Sequence, residues 1–322
     1  MNAQPTAATQ SRTVKIVPHT SEKSGEQGME HSLQLRVNML RLLCYRRVLW
    51  QRYLWQRVGS YPAQGLAIPH EEVDIACLDL DSPAAERRFY DTDPNVREVN
   101  AEIERCTQEL AKVKGKLEKL SQIFSLSTAE KDFLVLCAAP EFDARVRRLY
   151  GYIHDDVSLC SASVWLFGKL FEDNSGWRPE PSSNLVRWLL AMPAHRETND
   201  SVLLAKWQTD RRIVGYLLGS DEIDPHLADA AEFILPHPEP PYEPAAARAL
   251  SQWAKAAAHS KQRSVQIIGA SGIGRKTWAA QALRDQGVRM LSLKTDHLLP
   301  KRETQVGPRE KSQIREMLIV SE

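Results

Sequence analysis

Long apolar runs, clustered cysteines and an excess of one charge are all missing from this chain of 322 residues. No apolar run approaches the roughly 20 residues that a membrane-spanning helix needs, so no membrane association is expected. The net charge of +1 gives no general argument for nucleic acid or an anionic membrane as a partner. The cysteines lack C-x-x-C spacing, which predicts reduced thiols in the cytoplasm rather than disulfides or a metal site. These cysteines are Cys44, Cys77, Cys106, Cys137 and Cys160.

Patterns typical of several enzyme classes are missing as well. The nine histidines are dispersed, with no H-x-x-x-H and no Cys/His cluster, which argues against zinc. No G-x-S-x-G stretch offers a serine nucleophile. The Asp155–Asp156 pair has no third ligand at helical spacing, so a helix cap or surface loop is favoured over metal or acid–base chemistry.

The N-terminal half of the chain reads as a tail followed by helices. Residues 1–30 are polar, without an apolar segment, and predict a disordered tail rather than a targeting peptide. Residues 31–58 contain no Pro or Gly and predict one long helix that ends at Gly59. Its arginines, with no acid among them, are compatible with an aromatic–basic surface for nucleic acid or an acidic partner, but their spread around the helix favours packing on two sides.

A heptad-like seam follows. Asp93-Pro94 predicts a helix start, and apolar residues then recur at alternating steps of three and four as far as Leu120. Residues 31–123 are therefore expected to form a helical hairpin, favoured over a coiled-coil dimer. Between the two helices, residues 59–91 predict an irregular loop with a short strand at residues 75–80.

Residues 124–234 combine short helices with a strand. The capping box Ser127–Glu130 opens a helix that Pro140 is expected to stop, and a second helix is expected over residues 141–153. Further predictions are helices at 162–171, 185–191 and 210–218 and a strand at 201–207. The order of these elements is compatible with a winged-helix domain.

A proline-rich stretch separates this region from the C-terminal part. Residues 235–248 include Pro236, Pro238, Pro240, Pro241 and Pro244, a composition that favours extended polyproline II backbone. A semi-rigid spacer is favoured over a ligand for an SH3- or WW-type domain, because the stretch lies between two folded regions.

The glycine-rich turn near residue 270 is the stretch to which a mechanism can be attached. A predicted buried strand at residues 265–268 leads into a turn and then a helix, which is the context of a phosphate-binding loop. Glycines allow backbone N–H groups to surround an anion, and the helix start adds positive potential. The candidate nucleotide-binding residues are Gly269, Gly272, Ile273, Gly274, Arg275, Lys276 and Thr277.

The motif departs from G-x-x-x-x-G-K-[ST] at two positions. Arg275 occupies the lysine position and Lys276 the Ser/Thr position, which displaces the candidate hydroxyl to Thr277. The backbone cradle is kept, so ATP binding is expected. Binding of Mg²⁺ is disfavoured because the motif's hydroxyl ligand is replaced.

Two stretches resemble one family. Residues 136–157 resemble an L-C-x-A-P-E-h-D-x-R…R-L-Y-x-Y-h-x-D-D-V signature, and residues 210–219 resemble its later D-x-R-h-V-x-Y-L-L-G element. Both are associated with the variant winged-helix region that precedes the ATPase module of AAA-type proteins, some of which accompany contractile injection systems. The resemblance covers roughly residues 95–295.

The resemblance implies a fold and a function. The expected fold is mostly α, with an α+β winged-helix region and then the start of an α/β P-loop domain of the AAA type at residues 249–322. It implies a cytoplasmic ATP-binding protein that self-associates and remodels or assembles protein partners, with an injection apparatus as one candidate. Walker B acids, a sensor, an arginine finger and a lid do not follow, so truncation within the AAA core is expected. The alternative is a non-enzymatic winged-helix module for protein or DNA with a vestigial loop, DNA being disfavoured.

Overall fold

The computed structural model describes residues 29–59, 70–171, 176–194, 201–220, 222–235, 244–257, 265–270, 272–284 and 287–294. Within these ranges the chain is mostly helical. The helices are α1 (His31–Val58), α2 (His70–Cys77), α3 (Pro83–Thr92), α4 (Pro94–Leu110), α5 (Lys116–Ile123), α6 (Thr128–Phe142), α7 (Ala144–His154), α8 (Val164–Leu170), α9 (Asn184–Arg187), α10 (Arg211–Leu218), α11 (Pro244–Ala257) and α12 (Arg275–Arg284). The strands are β1 (Ala191–Pro193), β2 (Trp207–Thr209), β3 (Ala231–Ile234) and β4 (Met290–Leu293).

The long helix α1 organises the N-terminal half, and its predicted bounds are confirmed. It ends where Gly59 takes the left-handed conformation, with φ of 73°, a conformation that costs glycine little. Along its length α1 packs against α3, α4, α6, α7 and α8. The expected two-sided packing is therefore confirmed.

The predicted hairpin partner of α1 is α4, and the contact between them is confirmed. The Asp93 carboxylate accepts hydrogen bonds from the N–H groups of Asn95 and Val96, as its position before Pro94 predicts. The expected continuous seam is wrong, however, because α4 ends at Leu110 and α5 begins at Lys116. Gly115 lies against Ser32 of α1 so closely that a Cβ would overlap the serine hydroxyl.

The segment before α4 is helical, and the predicted strand at residues 75–80 is wrong. Helix α2 occupies residues up to Cys77, and Leu78 is 66% exposed in the turn that follows. Most residues of this stretch are apolar, but no neighbouring strand covers them within the described ranges. Helix α3 then begins with Pro83 in its first turn. Residues 60–69 of the predicted loop lie outside the described ranges.

The winged-helix region is built on α6, α7 and α8. Ser127 and Glu130 form the predicted capping box, with the Ser127 Oγ accepting from the Glu130 N–H at 3.2 Å and a Glu130 oxygen accepting from the Ser127 N–H at 2.8 Å. The buried residues of the three helices join α1 and α5 in one hydrophobic core. Phe133 and Phe167 meet edge to face near its centre, with ring centroids 5.3 Å apart.

Pro140 does not stop α6, contrary to the prediction, and the helix continues to Phe142. Proline has no N–H, so the carbonyl of Leu136, four residues earlier, loses its helical partner. The buried hydroxyl of Tyr150 donates to that carbonyl at 2.9 Å. A side chain of the next helix thus replaces the missing backbone hydrogen bond.

Strands β1 and β2 form a small antiparallel pair after α8, and they occupy the place of the wing. Ala191 pairs with Thr209 and Pro193 with Trp207. Two predictions here are wrong in detail. The helix expected over 185–191 ends at Arg187, and the strand expected over 201–207 begins only at Trp207. Residues 195–200 lie outside the described ranges.

The C-terminal part holds β3, α11, α12 and β4. Strands β3 and β4 pair antiparallel, with Ala231 opposite Leu293 and Ile234 opposite Met290. The predicted buried strand at residues 265–268 is wrong, because these residues are not in a strand and Ile268 is 82% exposed. A buried strand needs neighbouring strands on both edges. Strands β3 and β4 pair with each other and not with residues 265–268.

Several sequence predictions fall outside the described ranges. They concern most of the tail at residues 1–30, the proline-rich stretch from 236 to 243 and everything after residue 294. The predicted linker ran to residue 248, but α11 begins at Pro244, so residues 244–248 are helical. The structure describes no helix that is long and apolar enough to cross a membrane.

Candidate phosphate-binding site

The glycine turn leads directly into α12. Gly272 and Gly274 have φ of 87° and 80°, in the left-handed region that favours glycine. The N–H of Trp278 donates to the Gly274 carbonyl at 3.0 Å, which closes the first helical turn. The N–H groups of residues 275–277 therefore belong to the helix start, where backbone donors have no intrahelical acceptor. Ser271 lies outside the described ranges.

The two ends of the turn approach each other. A Cβ on Gly269 would overlap Ile273 Cδ1 and would lie 3.9 Å from Arg275 Cδ. Glycine at 269 therefore allows Ile273 to fold across the turn. The aliphatic part of the Arg275 side chain also lies beside the Gly269 backbone. Arg275 is the residue at the motif's lysine position.

Lys276 and Thr277 differ in their surroundings. The Lys276 Nζ lies 3.6 Å from a carboxylate oxygen of Glu232 on β3, and both side chains are about half exposed. The Thr277 Oγ1 lies 4.0 Å from the position that a Cβ on Gly274 would occupy. The hydroxyl is thus next to the turn, while the lysine amine is directed towards the β3–β4 pair.

The arrangement can bind an anion with backbone N–H groups and one guanidinium. The described residues just before the turn, 265–268, are not in a strand, so the cradle that the structure describes consists of the turn and the start of α12. Sequence reasoning did not find Glu232, because it is distant in sequence and belongs to no motif. In the part of the chain that the structure describes, no group of three or more His, Cys, Asp or Glu residues could hold a metal ion.

The winged-helix region offers a second candidate surface. It is the surface of the helix that would contact DNA. In this fold α8, the third of the helices α6, α7 and α8, is the candidate recognition helix. It packs against α1, and the N–H of Trp165 donates to the Leu203 carbonyl at 2.9 Å. Lys169 on α8 forms an ion pair with Asp81 at 2.7 Å. Its surface is therefore largely covered from within the chain.

The arginines of α1 have acidic partners from other elements. The Arg36 guanidinium lies 2.6 Å from Glu118 on α5. Arg47 is buried and lies 2.8 Å from both Asp81 and Glu86. These contacts make at least two of the arginines structural, which supports the packed-helix interpretation over a nucleic-acid surface.

Asp81 is the centre of this ion cluster. It accepts hydrogen bonds from Arg47 at 2.8 and 2.9 Å, from Lys169 at 2.7 Å and from the Trp50 indole at 2.6 Å. Burial raises the pKa of Asp81, but Arg47 and Lys169 outweigh it and lower the pKa to about 2. The cluster joins α1, α8 and the turn before α3.

The remaining predicted carboxylate pair has a structural role. Asp155 ends α7 in the left-handed conformation, with φ of 54°. The Asp156 Oδ1 accepts from the Ser158 N–H at 2.7 Å. Hydrogen bonds from Ser158 lower the pKa of Asp156. The prediction of a helix cap or surface loop is confirmed.

Comparison with known families gives one match. The family model of the variant winged-helix domain matches residues 28–231, well over half of the chain. The matched segment runs from before α1 to the first residue of β3, so it includes the hairpin of α1 and α4 and excludes the glycine turn. No curated protein and no solved structure matches the chain.

Proposed function

Since the chain belongs to the variant winged-helix domain family, we propose that it is an ATP-binding protein of the AAA type. In this proposal, residues 28–231 form the interaction module. The glycine turn from Gly269 to Thr277 binds the phosphates of ATP. Protein remodelling or assembly, driven by ATP in the cytoplasm, is the role implied by the AAA-type proteins that the sequence resembles.

The turn supports nucleotide binding. Gly272 and Gly274 adopt left-handed backbone conformations immediately before α12, so the N–H groups at the helix start are presented next to the turn. Helix N-termini attract anions through these donors and the helix dipole. This juxtaposition of left-handed glycines with a helix start is the observation that carries the proposal.

Phosphate contacts are proposed for three side chains as well. Arg275 lies beside Gly269 and can supply a guanidinium in place of the usual lysine. Lys276 would have to leave Glu232 to reach a phosphate, which is feasible for an exposed pair because such pairs contribute little energy. The Thr277 hydroxyl lies next to the turn and is the third proposed phosphate contact, while Mg²⁺ binding stays disfavoured.

Protein partners fit the winged-helix region better than DNA does. Its candidate recognition helix α8 is packed on α1, and Lys169 on α8 is paired with Asp81. On α7, Arg145 is paired with Asp143 at 2.8 Å. We extend the proposal to self-association and to protein partners, with components of a contractile injection apparatus as one candidate class.

A second function is favoured by different observations. Residues 265–268 are not in a strand, and Lys276 pairs with Glu232 rather than with the turn. Both features suit a non-enzymatic interaction module whose glycine turn is vestigial. This candidate predicts no measurable affinity for ATP.

Titration of a fluorescent ATP analogue separates the two candidates. We expect Arg275→Ala with Lys276→Ala to weaken binding by about tenfold or more, because two cations near the phosphates are removed. Gly274→Val is expected to abolish binding, since a β-branched residue is strained at a left-handed φ. The exposed Lys294→Ala serves as the matched control.

Each outcome has a clear reading. Binding by the unaltered protein and by the Lys294 control, but not by the turn variants, supports the phosphate-binding assignment. Equal affinity in all four proteins would place the nucleotide elsewhere and end that assignment. No binding to the unaltered protein, with or without Mg²⁺, would leave the non-enzymatic module as the better candidate.

A further inference from the structure

A cleft of about 660 Å³ lies between the winged-helix region and the β3–β4 pair. One wall comes from α5 and the residues before it, together with Arg212 and Tyr216 of α10. The other wall comes from Phe233 of β3 and residues 287–289, which precede β4. The volume is within the range of about 300–1,000 Å³ that is usual for small-molecule sites.

Among the described residues that line the cleft, cationic residues outnumber carboxylates by three. The cleft is lined by five cationic residues and by two carboxylates, those of Glu30 and Glu118. The five cationic residues are Lys114, Lys116, Lys119, Arg212 and Arg289. Charges of one sign that converge on a concave surface reinforce each other's potential and concentrate ions of the opposite sign.

Both carboxylates of the cleft have partners of their own. Glu118 lies 2.6 Å from the Arg36 guanidinium and accepts from the Gly115 N–H at 3.0 Å. Glu30 accepts from the Lys116 N–H at 2.9 Å. Because Arg36 does not line the cleft, it offsets part of the charge of Glu118 from outside.

Three of the cations are held in place by their neighbours. The Arg289 guanidinium lies 4.5 Å from the centroid of the Phe233 ring, and the Lys116 amine 5.8 Å from that of Tyr216. Arg212 is 6% exposed and donates to the Ser220 carbonyl at 3.3 Å. Such contacts reduce the side-chain entropy that a bound anion would otherwise remove.

The cleft is distinct from the glycine turn. Neighbouring residues of a strand point to opposite faces, so Phe233 and Glu232 lie on opposite faces of the β3–β4 pair. Phe233 lines the cleft, whereas Glu232 contacts Lys276 of α12. An anion in the cleft therefore needs none of the residues that the ATP proposal uses.

We propose that this cleft binds an oligophosphate, meaning a small molecule with at least two linked phosphate groups. A guanidinium matches phosphate with two parallel hydrogen bonds, and lysines add charge without fixed geometry. The excess of positive charge suits a ligand with three or more negative charges. The bound anion joins the winged-helix region to the β3–β4 pair, because Arg289, next to β4, lies across the cleft from the other four cations.

Calorimetric titration of the whole protein with inorganic tripolyphosphate tests this site. The cleft variant Lys114→Gln with Lys119→Gln changes two exposed residues, so folding is not at risk. We expect it to bind tripolyphosphate about tenfold more weakly or worse. The matched control is Lys112→Gln with Lys294→Gln, two exposed lysines that do not line the cleft, and it is expected to bind like the unaltered protein.

Further arms identify the ligand and separate this site from the turn. If the turn also binds phosphates as proposed above, the variant Arg275→Ala with Lys276→Ala loses only the binding at the turn and keeps the tripolyphosphate binding of the cleft. If it loses all binding while the cleft variant keeps it, the anion is at the turn, and the cleft proposal fails while the ATP proposal stands. Equal affinity in the cleft and control variants also overturns it, as does absence of binding. If ATP binds the cleft more tightly than tripolyphosphate does, the ligand is a nucleotide. Tighter binding of a hexaglutamate peptide rejects the phosphate class.

Discussion

At the scale of the residue, the contact between Tyr150 and Leu136 explains how α6 accommodates a proline. Pro140 removes one backbone donor, and the Tyr150 hydroxyl satisfies the carbonyl that is left over. The sequence shows the proline but not the hydrogen bond that replaces the missing one, because Tyr150 belongs to the next helix. A buried polar group without a partner costs about 1–3 kcal/mol, so the tyrosine has a clear physical role.

A double-mutant cycle measures this contact. We expect Tyr150→Phe to lower the free energy of unfolding by about 1–3 kcal/mol, because the Leu136 carbonyl loses its donor. In a Pro140→Ala background the restored N–H of residue 140 can donate to that carbonyl, so the same change should cost less. Urea unfolding of the four proteins gives the coupling energy. An identical cost in both backgrounds would contradict the explanation.

The ion cluster around Asp81 predicts a dependence of stability on pH. Its pKa is about 2 in the folded protein and about 3.9 when unfolded. The stabilisation is therefore complete above about pH 4 and is lost as the pH falls towards 2. Partial exposure reduces the effect to about 1–2 kcal/mol.

The comparison of the unaltered protein with Asp81→Asn isolates this residue from the other carboxylates. We expect the variant to be less stable at pH 5 and the difference in the free energy of unfolding to shrink between pH 4 and pH 2. Urea unfolding followed by tryptophan fluorescence reports it. A difference that stays constant over this window would show that the Asp81 charge does not stabilise the fold.

At the scale of the element, the sequence predicts helices that have strong local signals. It misses elements whose bounds depend on tertiary contacts. The bounds of α1, the Asp93 cap and the Ser127 capping box are local, and all are confirmed. The strand at Ala191–Pro193 was missed and the strand near residue 207 was misplaced, because three-residue strands carry almost no periodicity. The strand at 265–268 was wrong because burial of an apolar run depends on partner strands that the run itself does not specify.

The candidate sites follow the same division. The glycine turn could be predicted from its spacing, and the helix expected after it is α12, which begins at Arg275. Its pairing partner Glu232 could not be predicted, since it comes from a distant strand. The cleft was missed altogether, because its cations come from three distant segments, at α5, at α10 and just before β4, which converge only in the folded chain.

The break between α4 and α5 gives a prediction about Gly115. A Cβ at this position would overlap the Ser32 hydroxyl and lie 2.8 Å from Ser32 Cβ. We expect Gly115→Ala to destabilise the protein by about 1–3 kcal/mol, because α5 must move away from α1. Thermal and urea unfolding measure the loss.

Gly176→Ala is the matched control, because nothing lies within 4 Å of a Cβ at that position. It should leave stability nearly unchanged. If both alanine variants unfold at the same urea concentration, the close approach of α5 to α1 is not what requires glycine at 115.

At the scale of the whole molecule, the internal pairing of α8 predicts poor DNA binding. We expect a duplex of random sequence to bind no more tightly than about 10⁻⁴–10⁻⁶ M at physiological salt, the usual range for non-specific contacts. An electrophoretic shift assay at two salt concentrations measures this. Tight, salt-sensitive binding that is lost in Arg147→Gln with Arg148→Gln, two exposed positions of α7, would instead make α7 a DNA-binding helix.

The antiparallel pairing of β3 with β4 has a consequence for how the chain can vary. Ile234 lies opposite Met290, and Cα atoms paired in this way are only about 5 Å apart. The intervening segment, which contains α11, the glycine turn and α12, therefore leaves and re-enters the molecule at nearly the same point. In topological terms it is an insertion, so it can be lengthened, shortened or exchanged without displacing the winged-helix region.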